Sequence, residues 1–118
     1  MTSTAELTLE AQLSQAGIPF EREYKFHPDR KWRADFFVTL IVHQENPRQT
    51  FDWIRLLVEI DGGAFIGGRH SRGAGVEADC EKTSAAAILG YRVLRMTPKQ
   101  VEDGRGLQWI KQALGIET

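Results

Sequence analysis

The segment Ile54 to Asp61 constrains the fold more than any other stretch of the chain. It is rich in β-formers and apolar on both alternating faces until Glu59, the pattern of a central strand covered on each side. A strand of that kind needs helices above and below the sheet, which points to a layered α/β architecture. The stretch that follows is equally distinctive. Gly62, Gly63, Gly67, Gly68, Gly73 and Gly75 crowd together, so it reads as a loop, and Val76 to Leu89 then has helical composition ending at Gly90.

The rest of the chain fits around that strand. Ser3-Thr4-Ala5-Glu6 has the spacing of a capping box, and Leu9, Leu13 and Ala16 share one face of the helix it opens. Pro19 to Phe26 reads as a strand. Trp32 to Val42 reads as a second, with Arg33, Asp35, Phe37 and Thr39 on one face and Ala34, Phe36, Val38 and Leu40 on the other. Gln44 to Thr50 carries Asn46-Pro47 and is a loop. Tyr91 to Met96 is a fourth strand, Thr97 caps a turn opened by Pro98, and a last helix covers about Gly106 to Leu114. The expected order is helix, three strands, helix, strand, helix. The first three strands form an antiparallel meander, and the third and fourth run parallel across the intervening helix.

With 118 residues, 42% hydrophobic and 26% charged, positions 1–118 suit a single domain. Fifteen basic residues against sixteen acidic ones leave a formal net charge of −1, so any affinity for nucleic acid must reside in a local patch. The basic residues do cluster: Arg30, Lys31 and Arg33, then Arg69, His70 and Arg72, then Arg92, Arg95 and Lys99. A single cysteine, Cys80, excludes an internal disulfide and a multi-thiolate zinc site, and its place in the helix suggests a buried small hydrophobe. Neither a secretory signal nor a membrane-length apolar stretch is visible, and the expected location is the cytoplasm, with no membrane partner.

Candidate chemistry sits at two strand ends. Glu59 and Asp61 alternate onto one face, and two carboxylates so placed need a cation, a basic partner or water. Asp35 lies inside a run with Phe36 and Phe37, where an unpaired buried acid is costly. If the two strands are neighbours, Asp35, Glu59 and Asp61 converge and suit a hard cation such as Mg²⁺. The alternative is a solvated or salt-bridged surface cluster.

Four segments together carry a resemblance: Arg33-Ala34-Asp35-Phe36, Val58-Glu59-Ile60-Asp61-Gly62-Gly63, Gly67 to His70, and Gly90-Tyr91-Arg92-Val93-Leu94-Arg95. The chain resembles the PD-(D/E)XK nuclease superfamily, and is most similar to its small branch of very-short-patch-repair and Holliday-junction-resolvase-like endonucleases. The likeness spans about Glu6 to about Val101. It implies a restriction-endonuclease-like core and hydrolysis of phosphodiester bonds, by default in DNA, duplex or branched, with Mg²⁺ or Mn²⁺. It further implies that Asp35 and Glu59 bind the metal, with the Ile60 carbonyl as another ligand.

The departure is Asp61, which stands where the motif expects lysine. Lys82 is the candidate to replace that lysine, although a solvated surface lysine fits its spacing equally well; Asp79 and Lys82 could form an exposed pair on the helix. An acid from the first helix often joins such sites. At about 100° per residue, Glu6 is better aimed at the sheet than Glu10, yet Glu6 also completes the capping box. His70 could act as general acid or base, Arg69 and Arg72 could clamp phosphate, and Lys31 and Arg33 are further candidates for holding nucleic acid. Trp32 could stack on a base, although an aromatic at a strand start more often serves packing, and Trp53 and Trp109 suit a core or an interface. A partner copy is an expectation from size alone. The rival readings are a catalytically inactive nucleic-acid-binding module of the same fold, which Asp61 favours, and a structural protein whose acids form only a surface cluster.

Overall fold

The structure, a computed structural model, describes residues 3–42, 52–61 and 74–116. Its elements run α1 (Thr4–Gln15), β1 (Glu21–Lys25), β2 (Arg33–Val42), β3 (Asp52–Ile60), α2 (Ala74–Ile88), β4 (Arg92–Met96), α3 (Pro98–Glu102) and α4 (Arg105–Leu114). The turn expected after Thr97 is a short helix: Thr97 accepts from the Gln100 N–H and the Gln100 side chain accepts from the Thr97 N–H. The α1 start is built in the same reciprocal way by Ser3 and Glu6.

The sheet order is β1-β2-β3-β4. β2 pairs antiparallel with β1 and β3, while β3 and β4 run parallel, with Val58 opposite both Phe36 and Leu94. Helix α2 makes the crossover. Its last turn is reversed at Gly90, whose φ of 92° is a conformation that side chains rarely adopt.

Two apolar clusters cover the two faces. On one, Leu9 and Leu13 of α1, Val101 of α3 and Ile110 and Leu114 of α4 pack on Phe36, Val38, Leu56, Val58 and Met96. On the other, Ala86 of α2 joins Phe26, Ala34, Leu57 and Tyr91, flanked by Trp32, Phe37 and Val93. The β3 triplet Leu56-Leu57-Val58 is buried throughout, feeding both layers, as its continuous apolar character requires. Leu9 is fully buried, so Leu9→Ala should cost about 2–5 kcal/mol in denaturant unfolding, with the sheet otherwise unchanged.

Cys80 is exposed, not the buried small hydrophobe expected from its place in the helix, and Trp53 is 57% exposed at the start of β3, which sets aside a core role for it. Trp109 packs beside the first cluster as expected, and Trp32 packs as well: Phe26 stacks on it and the Arg30 guanidinium lies 4.1 Å from its ring centroid. No helix among the described residues is long and apolar enough to cross a membrane.

Candidate active site

The regular pairing of β2 with β3 reaches Phe36↔Val58. One step further, the Asp35 carboxylate intervenes: its Oδ2 accepts the Ile60 N–H at 2.8 Å. The side chain has taken a donor that the strand ladder would otherwise use. On the other side of β2, Glu23 of β1 has φ of 50°, the left-handed region that a non-glycine residue enters at a cost of about 1–3 kcal/mol. The alternation of both strands breaks there. Arg22 lies over the Phe36 ring in the α1 layer, while Tyr24 stacks on Phe37 in the α2 layer. Ala34 consequently belongs to the α2 layer and Phe36 to the α1 layer, which corrects the regular face assignment expected for β2. Asp35 sits at the crossing point.

On the α2 side of that point, Glu59 Oε1 lies 2.6 Å from Lys82 Nζ. The same ammonium donates to the Arg33 carbonyl at 2.7 Å. Lys82 therefore links β2, β3 and α2 at one position, with three-quarters of its side-chain surface covered. Burial pushes the Glu59 carboxyl above the usual carboxylate range; Lys82 opposes this, and the neighbouring Asp35 adds to it. Asp61 is engaged differently. Arg95 of β4 grips it with two N–H groups at 2.9 Å each, and also pairs with Asp79 of α2 at 2.6 Å. Asp79 and Lys82 thus do not form the exposed helix pair that their spacing allowed. Each reaches a different partner on the sheet.

On the α1 side, Glu6 completes the capping box with Ser3 and also pairs with Arg22 at 3.1 Å, while Arg22 holds Glu10 at 2.9 Å. Burial works to raise the Glu6 pKa, but the Ser3 hydrogen bonds and Arg22 outweigh it and hold the carboxyl below its usual range. Carboxylate oxygens of Glu6, Glu23 and Asp35 lie within 4.8 Å of one another. Glu6 and Asp35 border an open recess of about 350 Å³, formed by the start of α1, Asp35, Ile60, Pro98 and Glu102. Burial drives the Asp35 pKa up; the Ile60 N–H works against it, Glu6 and Glu23 reinforce it, and Lys82 opposes it again.

The fold is endonuclease-like. Over 95% of its length the chain superimposes on 94% of the catalytic domain of the homing endonuclease I-Bth0305I, with a TM-score of 0.60 at 20% sequence identity. No protein-family model matches the chain, and no curated protein matches it. The mixed sheet with helices on both faces is therefore the architecture that the α/β reading anticipated.

Of the residues singled out in the sequence, Asp35, Glu59, Ile60 and Lys82 come together around the parting of β2 and β3, and Glu6 borders Asp35 from α1. The expected trio of Asp35, Glu59 and Asp61 is not the one that converges among the described residues. Arg95 claims Asp61, and Glu23 stands with Glu6 and Asp35 instead. Arg33 and Lys31 are exposed at the entry to β2. Arg69, His70 and Arg72 lie outside the described residues. Sequence reasoning missed Glu23 and Arg22, and named Arg95 within a basic cluster without its pairing to Asp61 and Asp79. The alternating acids and bases of Glu21 to Lys25 were the available signal for the first two, but only the left-handed turn at Glu23 aims its carboxylate at Asp35.

Proposed function

We propose that this chain is a divalent-metal-dependent endonuclease that hydrolyses phosphodiester bonds in DNA, of the PD-(D/E)XK type. The observation that carries the reading is the ammonium of Lys82, fixed between the Glu59 carboxylate and the Arg33 carbonyl beside the Asp35–Ile60 junction. A lysine held at a strand parting next to two acids of raised pKa is an arrangement suited to phosphoryl chemistry. The neighbour's fold supports it, since that protein is a homing endonuclease catalytic domain.

The donor set fits a hard cation. On the α1 side the carboxylate oxygens of Glu6, Glu23 and Asp35 are crowded, and among the described residues Arg22 is the counter-charge paired with Glu6 and Glu10; on the α2 side of Asp35, Glu59 faces Lys82. Asp35 and Glu59, with the Ile60 carbonyl, would hold Mg²⁺ or Mn²⁺, and Glu6 and Glu23 would add negative potential. Such an ion supplies Lewis-acid polarisation of the phosphate and lowers the pKa of the attacking water. Asp35 is kept in place by the Ile60 N–H, so its position is set before any ligand arrives. Lys82 brings a positive charge to the reacting phosphate, stabilising the charge that grows on it. Asp61 is the motif's lysine position, and in this reading it anchors Arg95 rather than taking part in the reaction.

A second reading keeps the fold and the nucleic-acid contact but not the chemistry. It is favoured by Asp61, an acid locked to Arg95 where a lysine would be expected. A panel of duplex, branched, mismatched and single-stranded DNA separates the two. Cleavage should appear with Mg²⁺ or Mn²⁺ and disappear with EDTA. Binding without cleavage of any member, at any concentration of either metal, establishes the second reading.

A further inference from the structure

The turn between β1 and β2 carries Arg30 and Lys31, and the strand ends it joins carry Lys25 and Arg33, in a protein whose overall charge is slightly negative. These cations are not equivalent. Arg30 has partners: it stacks on Trp32 and pairs with Glu81 of α2 at 2.8 Å. The turn is braced further by His27, whose Nδ1 accepts the N–H groups of Asp29 and Arg30 at 3.1 Å each. Lys25, Lys31 and Arg33 are exposed and have no acidic partner among the described residues.

Two of them are also set against each other. Lys25 and Arg33 are direct register partners across the β1–β2 pair. Like charges facing one another across antiparallel strands destabilise the pairing. Glu23, the acid nearest Lys25, is turned by its left-handed backbone towards Asp35, and Asp29, the one acid of the turn itself, forms no ion pair with these cations among the described residues. The result is a rigid turn that concentrates unneutralised positive charge. The turn also leads directly into the site: the Arg33 carbonyl is the one that accepts from Lys82, and Asp35 is two residues on.

We propose that the β1–β2 turn is a phosphate clamp, in which Lys25 and Arg33 grip the backbone of the nucleic-acid strand entering the site, Lys31 supports them, and Arg30 with Trp32 serves as the brace. An anion between Lys25 and Arg33 converts a repulsive pair into a bridged one. The proposal rests on the nucleic-acid reading above but not on hydrolysis. Because the cations are presented on a braced turn, little side-chain and backbone freedom remains to be lost on binding.

The test is fluorescence anisotropy of the full chain with a fluorescein-labelled duplex DNA, in EDTA so that no cleavage intervenes. Lys25→Glu should weaken binding by roughly tenfold or more near 0.1 M salt, and should reduce the slope of log affinity against log salt by about 0.9 for each phosphate that is no longer neutralised. The same substitution places an acid opposite Arg33, so Tm should hold or rise while affinity falls. Lys25→Ala should move affinity in the same direction by less. Lys111→Glu on α4 makes an equal change in net charge and should leave affinity within about twofold. Equal losses at positions 25 and 111, an unchanged affinity in Lys25→Glu, or binding to phosphatidylserine vesicles but not to DNA would each overturn the clamp. Retained, salt-sensitive binding by a protein that cuts no DNA removes the hydrolytic reading and leaves the clamp standing.

Discussion

Asp35→Asn is expected to abolish metal-dependent cleavage and, at the same time, to stabilise the metal-free protein. The carboxylate is the common member of two acid groups, coupled to Glu59 on one side and to Glu6 and Glu23 on the other. Its removal should lower the cleavage rate by on the order of 10³-fold, the scale of removing a principal electrostatic interaction with the reacting group. The stability effect has the opposite sign. Burial, with Glu6 and Glu23 close by, raises the Asp35 pKa in the folded state. A carboxyl whose folded pKa lies above its unfolded value holds its proton more tightly when folded. Stability is therefore lost as pH climbs from the ordinary aspartate value through the raised one.

Asparagine has no proton to lose, and its side-chain oxygen can still accept from the Ile60 N–H. In EDTA, the Tm of the variant should overtake that of the wild type across that pH window and stay above it at neutral pH. With Mn²⁺ at about 100 times its Kd, the wild type should gain about 2.7 kcal/mol and the variant almost nothing. A variant that still cuts DNA, or one that responds to Mn²⁺ like the wild type, removes Asp35 from the site.

Lys82→Met should be nearly as damaging to cleavage, by about 10²–10³-fold, and should also destabilise the fold. The methionine leaves Glu59 without its counter-charge in a largely covered position and leaves the Arg33 carbonyl without its donor. About 2 kcal/mol of stability should be lost at neutral pH. Part of it should return on acidification, because the Glu59 pKa is already raised and rises further once Lys82 is gone. Glu59→Gln combined with Lys82→Met should recover most of the stability and none of the activity, since the pair is coupled structurally and both members are needed for chemistry. Lys82→Arg distinguishes a charge from a proton source: an arginine keeps the positive charge but does not give up a proton at usable pH. Full activity in Lys82→Met would mean that the ammonium only ties α2 to the sheet.

Lys82 also marks the limit of sequence periodicity. By spacing, Val76, Cys80 and Ala87 form the apolar stripe of the second helix, which leaves Lys82 off it. All three are exposed. The face that meets the sheet is Lys82, Thr83, Ala86 and Leu89, with Ala86 the buried member. A helix with many alanines and few large apolar residues contains too little hydrophobic contrast to fix its own rotation. The ion pairs Lys82–Glu59 and Arg95–Asp79, both to groups on the sheet, accompany the orientation that it adopts.

Where hydrophobic contrast is strong, the sequence sufficed. The apolar run Leu56-Leu57-Val58 of β3 required a central strand with two covered faces, the capping residues set where α1 begins, and the helix before Tyr91 allowed the parallel crossover. Those are local or one-dimensional properties, readable because burial and backbone hydrogen bonding repeat with a fixed period. The composition of the acid cluster was not of this kind. It depends on one left-handed residue, Glu23, on one side chain entering the strand ladder at Asp35, and on Arg95 pairing with Asp61. Each is an interaction between residues far apart in the chain, or a break in the regular period. Tertiary packing alone decided them, because only packing determines which of several nearby charges finds a partner.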